Sequence, residues 1–376
     1  MKIVVASDSF KGCLSSAEVA DAIESGIATI AEDIDIIKLE VADGGEGTAD
    51  VIGRSLNGES IFGRTLSACG EKMSTRYWII RNDTAVIDVA SSCGIEHVGS
   101  TPNVINYSTF GLGIVVLDAF NKGCRKFIIG LGGSATCDGG LGLLSALGVK
   151  FSPRLSRSFP IADDMKNVEY FDLTDARRDI MDCEFVVLSD VTNPLYGPDG
   201  AAEIFAPQKG ATPDQVKILD EGLRHLSRIG KESTGTDRSL DPGAGAAGGL
   251  GWAFLTFFNS RMESGVSGVL DITGFNEIVK DADLVITGEG RMDNQTMSGK
   301  LPMGVCRRAQ YYGVPTVALA GTVDNALDLL HAGFAGVFSI IPRPMTLQDA
   351  MIGENAKESI RNMAASIVKL FVGRKK

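Results

Sequence analysis

The chain opens on an uninterrupted apolar run, Ile3-Val4-Val5-Ala6, that meets the polar pair Ser7-Asp8. A short run without alternation predicts a buried strand over residues 2–7. Lys11 and Gly12 follow in a loop, and Ser15-Ser16-Ala17-Glu18 has the form of a capping box. Val19, Ala20, Ile23 and Ile27 then recur at helical spacing. A second strand, over about 35–42, ends in Asp43-Gly44-Gly45-Glu46-Gly47-Thr48, where another helix starts. Strand, loop and helix in repeated order predict an open parallel sheet.

The middle of the chain has a different pattern. Arg76–Arg81 and Thr84–Val89 flank Asn82-Asp83 as an antiparallel hairpin. Lys126–Gly130 and Phe185–Ser189 read as buried strands, and Gly243–Gly251 leads into an apolar helix near 252–260. The last hundred residues resume the earlier order, with strands at Asp283–Thr287, Val314–Ala320 and Val337–Ile341. A helix opens at Lys300-Leu301-Pro302, and a final helix covers about 355–371. No internal repeat of fixed period occurs. The expected fold is α/β, with a Rossmann-like parallel-sheet domain formed by both chain ends, residues 1–62 and 275–376. A second, mixed α/β domain with glycine-rich loops, residues 63–274, is inserted between them.

Composition narrows the function. At 376 residues and 44% apolar, the chain can fill two cores. A formal net charge of -11 repels nucleic acid and anionic membranes, which excludes both as partners. It repels a nucleotide as well, so a phosphate site must be local: backbone N–H groups, a few Lys or Arg, and a metal ion. The closing Gly373-Arg374-Lys375-Lys376 reads as a solvated tail. Seven cysteines without CxxC spacing form neither a zinc knuckle nor a disulfide framework, and suit a reducing cytoplasm. The start is a strand rather than a signal peptide, and no run approaches the roughly 18 apolar residues of a membrane helix. The expected location is cytoplasmic.

Four loops follow predicted strands, at the ends where open α/β sheets bind ligands. In Asp8-Ser9-Phe10-Lys11-Gly12, Lys11 suits a phosphate or carboxylate, and Asp8 a metal or hydroxyl. Asp43-Gly44-Gly45-Glu46-Gly47-Thr48 holds three glycines and two carboxylates, more than a turn needs. Asp43 or Glu46 there suits magnesium bound with phosphate, or Asp43 caps a helix. Gly130-Leu131-Gly132-Gly133-Ser134-Ala135 formally fits a dinucleotide fingerprint, but the ribose acid expected about 20 residues on is missing. A phosphate cradle with Ser134, Thr136 and Asp138 fits better. The fourth is Gly288-Glu289-Gly290-Arg291-Met292-Asp293, running on to Lys300. Arg291 there can grip a carboxylate with two donors, or pair with Asp293 or Glu289. Gly243–Gly248 suits close helix packing or a flexible approach to a ligand.

Two common kinase signatures are absent: the GxxxxGK[ST] P-loop, and the His-Arg-Asp and Asp-Phe-Gly set. His97, His225 and His331 lie away from these loops in the sequence, which argues against a Ser–His–Asp hydrolase. Cys137 sits inside the third loop as a small filler.

Taken in order, these stretches resemble the two-domain bacterial glycerate kinase family. The matching segments also include Asp190–Pro194, Ala206-Pro207-Gln208-Lys209-Gly210, Gly243–Gly251 and Ile286–Lys300, and they span nearly the whole chain. Ser7 stands where the family pattern has proline, and Cys137 where it has asparagine. The resemblance implies transfer of the terminal phosphoryl group of Mg-ATP to D-glycerate, giving 2- or 3-phosphoglycerate and ADP. Such a reaction needs a metal held by carboxylates, cations over the transferring group, and an acid that aligns the hydroxyl. Asp190, Lys11, Asp8 and Asp293 are the expected catalytic residues, with Asp190 orienting or deprotonating the hydroxyl. Ser9, Arg64, Arg291, Lys300 and Asn193 are expected to bind substrate. Gly44, Gly45, Gly47, Thr48, Gly132, Gly133, Ser134, Thr136 and Asp138 are expected to bind nucleotide. Asp43 and Glu46, or Asp190 itself, would hold magnesium. A homo-oligomer is compatible with this reading. Two rivals are a nicotinamide-dependent hydroxy-acid dehydrogenase and a non-enzymatic sugar-acid sensor. The missing ribose acid counts against the first, and the absence of a basic helix-turn-helix against the second.

Overall fold

A computed structural model describes residues 1–31, 33–100, 102–153, 157–297 and 299–374. The closing Lys375-Lys376 pair lies outside the described residues. The chain divides into two compact units, Met1–Asp43 with Val266–Lys376, and Gly44–Gly265. The sequence places the crossings at 62/63 and 274/275, and the local pairing explains the offset. Residues Glu59–Leu66 form a strand along Lys72–Ile80, so they go with the second unit. Val266 and Leu270, on the helix Gly265–Ile272, join a core of the first.

The first unit is built on five parallel strands. Their order across the sheet is Gly336–Ser339, Thr316–Val323, Leu284–Met292, Lys2–Val5, Asp35–Lys38. Alternation along the first strand feeds two cores. Ile3 and Val5 face the helices Ser16–Ala28 and Gly353–Arg374, among Val19, Ile23, Ile27, Ile360 and Ile367. Val4 and Ala6 face the other side, among Leu270, Phe275, Leu301 and Val305. A strand apolar at every position is what two covered faces require. Each such side chain removed from water contributes roughly 1.5–3 kcal/mol. The capping box forms as the sequence indicates: Ser15 Oγ accepts from Glu18 N, and Glu18 accepts from Ser15 N.

The second unit carries a six-stranded mixed sheet in the order Ser260–Glu263, Glu184–Leu188, Lys126–Gly130, Thr84–Asp88, Lys72–Ile80, Glu59–Leu66. The first four run parallel, and the last two close an antiparallel meander. The expected hairpin is present, turning through Arg81 and Asn82 at positive φ. Phe127 and Phe185 stack at 4.6 Å between centroids within one continuous core. The strand Ser260–Glu263, the edge strand Glu59–Leu66 and the helix Pro213–Thr234 were not expected from the sequence, although the helix carries a Thr212–Gln215 capping box and an amphipathic pattern.

Candidate functional site

In the first unit, the chain leaves Lys2–Val5 toward Asp35–Lys38 on one side, and leaves Leu284–Met292 toward Thr316–Val323 on the other. The two adjacent strands therefore form a topological switch point, where open α/β sheets bind ligands beyond the strand ends. Asp8 stands just past the first strand, its N–H donating to Gly288 O at 2.9 Å. Its Oδ1 accepts from Ser9 N at 2.7 Å. Burial pushes the Asp8 carboxyl above its ordinary range, and the nearby Asp43 charge adds to this, while Ser9 and Lys11 oppose it.

The fourth glycine motif departs from expectation. Gly288–Met292 continues the strand instead of leaving it, with Glu289 opposite Ala320 and Arg291 opposite Thr322. The partner strand also extends, to Val323, so backbone pairing takes up the residues expected as a loop. Glu289 is buried and accepts from Thr296 Oγ1 at 2.6 Å, with Lys300 Nζ 3.9 Å from its other oxygen. Burial pushes the Glu289 carboxyl above its ordinary range; Thr296 and Lys300 oppose, and the charges of Asp8 and Asp293 add. Thr296 Oγ1 also accepts from Asp293 N at 3.1 Å. Arg291 is exposed and engages Asp324 at 2.8 Å and Asp293 at 3.7 Å. The switch point thus brings Asp8, Asp293 and Lys300 to Glu289, with Ser9, Lys11 and Asp43 beside Asp8.

In the second unit, the second and third glycine loops pack on each other. A Cβ on Gly132 would lie 2.4 Å from Gly45 Cα, so only glycine allows this approach. Gly47 begins the helix Thr48–Ser55 and has no side chain to cap it. Asp88, at the end of its strand, supplies the cap from across the fold, accepting from Gly47 N at 2.9 Å and Ala49 N at 3.0 Å. Burial pushes the Asp88 carboxyl up to about 7, against these two hydrogen bonds.

Below the third loop, Asp138 is buried and its carboxylate is fully engaged. It accepts from Thr109 N, Thr109 Oγ1, Gly140 N and Gly142 N, all within 3.1 Å. It braces the turn from beneath. Ser134 Oγ and Thr136 O accept from the buried Lys209 at 3.0 and 2.8 Å. Gly248 also belongs here: at φ 66, a Cβ would meet Thr136 O at 2.1 Å, which favours the close-packing role for that glycine run.

Asp190 follows the strand Glu184–Leu188, is exposed, and accepts from Ser264 Oγ at 2.8 Å. Asn193 donates from Nδ2 to Asp199 O at 2.8 Å. Arg64 is exposed on the edge strand opposite Ser74, with Lys72–Ile80 between it and the Asp88 strand. Tertiary folding also corrects the reading of His97. The turn Ile95–His97 lies against the third loop, through a Gly94–Ser134 bridge and Ile95 N donating to Gly133 O at 3.0 Å. His97 itself sits 3.4 Å from Glu96.

Three residues that the sequence reading leaves out of the site are Asp88, Lys209 and Glu289. The available signals are faint: an acid closing a strand, a lysine within Ala-Pro-Gln-Lys-Gly, and an acid between two glycines. Among the described residues no three His, Cys, Asp or Glu side chains form a metal-binding group. Asp43 closes the first unit and Glu46 belongs to the second.

Comparison with known proteins finds likeness along nearly the whole chain. The sequence model of the glycerate kinase family matches residues 3–372. A Bacillus subtilis glycerate kinase is 38% identical over 98% of both chains. The Escherichia coli protein named glycerate 2-kinase is 37% identical, again over 98% of both. A crystal structure assigned as glycerate kinase 2 of Salmonella typhimurium LT2 superposes with a TM-score of 0.86 at 36% identity, over 100% of each chain. On the loops, the sheet order and these full-length matches, the chain belongs to the glycerate kinase family and is an ATP-dependent kinase.

Proposed function

We propose that the chain transfers the terminal phosphoryl group of ATP to a hydroxyl of D-glycerate, giving a phosphoglycerate and ADP. The observation that carries this reading is the packing of two glycine loops, Gly44–Thr48 and Gly132–Thr136, at strand carboxyl ends. The backbone at Gly44, Gly45 and Gly133, with the hydroxyls of Ser134 and Thr136, suits a phosphate cradle, while Gly47, Thr48 and Gly132 hold its shape by donating to Asp88, Gly45 O and Gly44 O. Asp138 serves that cradle by bracing its backbone.

Phosphoryl transfer is mostly positioning and charge stabilisation. In this reading Asp190 aligns the acceptor hydroxyl and takes its proton. Its exposure and its hydrogen bond from Ser264 support a carboxylate ready to accept. Lys11, Arg291 and Lys300 neutralise the substrate carboxylate and the phosphates. Asp8, Asp293, Ser9 and Asn193 orient glycerate, and Arg64 is an outlying candidate for its carboxylate.

The carboxylates present fit magnesium, which prefers hard oxygen donors and keeps water and phosphate oxygens in its shell. The mutual repulsion of Asp8 and Asp43 supports a cation there, since a positive charge relieves it. Asp43 and Glu46, or Asp190 itself, would hold the ion. When bound, magnesium neutralises phosphate charge. The name of the Escherichia coli relative supports the 2-hydroxyl as acceptor. Seven free thiols support work in the cytoplasm.

The test is a coupled ADP-release assay with Mg-ATP and D-glycerate, with the product resolved by phosphorus NMR. Magnesium-dependent release with one phosphoglycerate isomer is expected, and fixes the regiochemistry. Folded protein that binds ATP but leaves D-glycerate unchanged would remove glycerate as the substrate. Absence of ATP binding would sink the nucleotide assignment.

A further inference from the structure

Lys209 is a buried lysine, 6% exposed, and among the described residues no carboxylate lies within ion-pair distance of it. It ends a short 3-10 turn, Pro207–Lys209, and among the described residues its ammonium donates to Ser134 Oγ and Thr136 O alone. Both acceptors belong to the third glycine loop. A buried charge without a counter-ion is costly, and proteins keep one where it serves an anion or a defined geometry.

The nearby acids do not fill that role. Asp138 spends its carboxylate on four donors, two from Thr109 and two from Gly140 and Gly142 of its own turn. Cys137, also facing Lys209, is a neutral thiol, because burial pushes it up to about 12. Asp220, on the helix Pro213–Thr234, bears on Cys137 and receives Gly197 N at 2.6 Å and Arg224 at 3.2 Å. Beside Ser134, the loop therefore carries positive charge below and backbone donors above.

We propose that Lys209 is the positioning residue of the nucleotide loop: through Ser134 and the Thr136 carbonyl it fixes the Gly132–Thr136 turn, and its positive charge strengthens the hold on a nucleotide phosphate. This rests on the reading of that loop as the phosphate cradle. Burial holds the ammonium down at about 8, opposed by the charge of Asp138. The charge is thus lost just above neutral pH, which makes its contribution measurable.

The experiment measures Mg-ATP affinity by calorimetry between pH 7 and 9.5, for the wild type, Lys209→Met, Lys209→Arg and Gly132→Ala, with thermal melts of each. Steady-state KM for ATP and for glycerate is measured alongside. Wild-type affinity falls as pH rises through this range. Lys209→Met binds roughly tenfold to a hundredfold more weakly at pH 7 and loses that pH dependence. Its KM for ATP rises while its KM for glycerate stays, a split that general loosening of the fold would not give. Lys209→Arg keeps affinity at high pH, since a guanidinium holds its proton.

A folded Lys209→Met protein with wild-type ATP affinity would overturn the proposal. So would a wild-type affinity flat from pH 7 to 9.5, which needs no variant to fold. Unchanged ATP affinity in Gly132→Ala would instead overturn the cradle assignment itself.

Discussion

Asp190 and Asp138 are carboxylates beside the same set of strand ends, and burial gives them opposite tasks. Asp190 is exposed and carries little of the fold. Asp190→Asn is expected to lower kcat by about a hundredfold or more with an unchanged melting temperature. A near-normal kcat would remove it from the mechanism. Asp138 is fully buried and satisfies four donors. Asp138→Ala leaves Thr109, Gly140 and Gly142 N–H groups unpaired in the core, and should cost about 3 kcal/mol or more in urea unfolding. Both acids are visible in the sequence beside glycines or strand ends. Which one is buried and which exposed is not, because pattern gives neighbours along the chain and not the donors that fold over a side chain. Arg291 shows the same limit: its reach toward Asp324 depends on how two adjacent strands pair.

Helices and strands were legible where apolar spacing was strong. The strand at 2–7, the capping box at Ser15–Glu18 and the hairpin across Asn82 are set by local pattern and turn chemistry. The run Gly288–Met292 was not, because a glycine-rich stretch reads as a loop until a neighbouring strand claims its backbone donors. The helix Thr48–Ser55 was legible from its glycine loop, but its cap, a residue far along the chain, was not. That cap sets a pH dependence. Asp88 has a folded value of about 7, raised by burial above the unfolded value near 4. Its contribution to stability is therefore fully present below pH 4 and lost as pH rises through 7, by at most roughly 4 kcal/mol. Urea midpoints measured from pH 4 to 8 should show this slope in the wild type, and Asp88→Asn should lack that part of it.

At the scale of the whole molecule, the second unit is one continuous stretch with its own core, whereas the first is assembled from both ends of the chain. A fragment spanning 44–265 is expected to unfold cooperatively in urea, by circular dichroism and tryptophan fluorescence together, and to show no glycerate-dependent ADP release. Non-coincident transitions would show that the unit needs the rest of the chain. The sequence by itself determined the alternation of helix and strand, the acidic balance, and the glycine loops whose order carries the family resemblance. These are local or additive properties, written in spacing and residue type. The tertiary structure decided what depends on approach through space. It set Gly132 against Gly45, sent Asp88 to cap a distant helix, and buried Lys209 under Ser134. It also took the fourth glycine motif into a strand. Burial and hydrogen-bond partners belong to folded neighbours, and they determine whether a carboxylate or an ammonium braces the fold or remains available to a ligand.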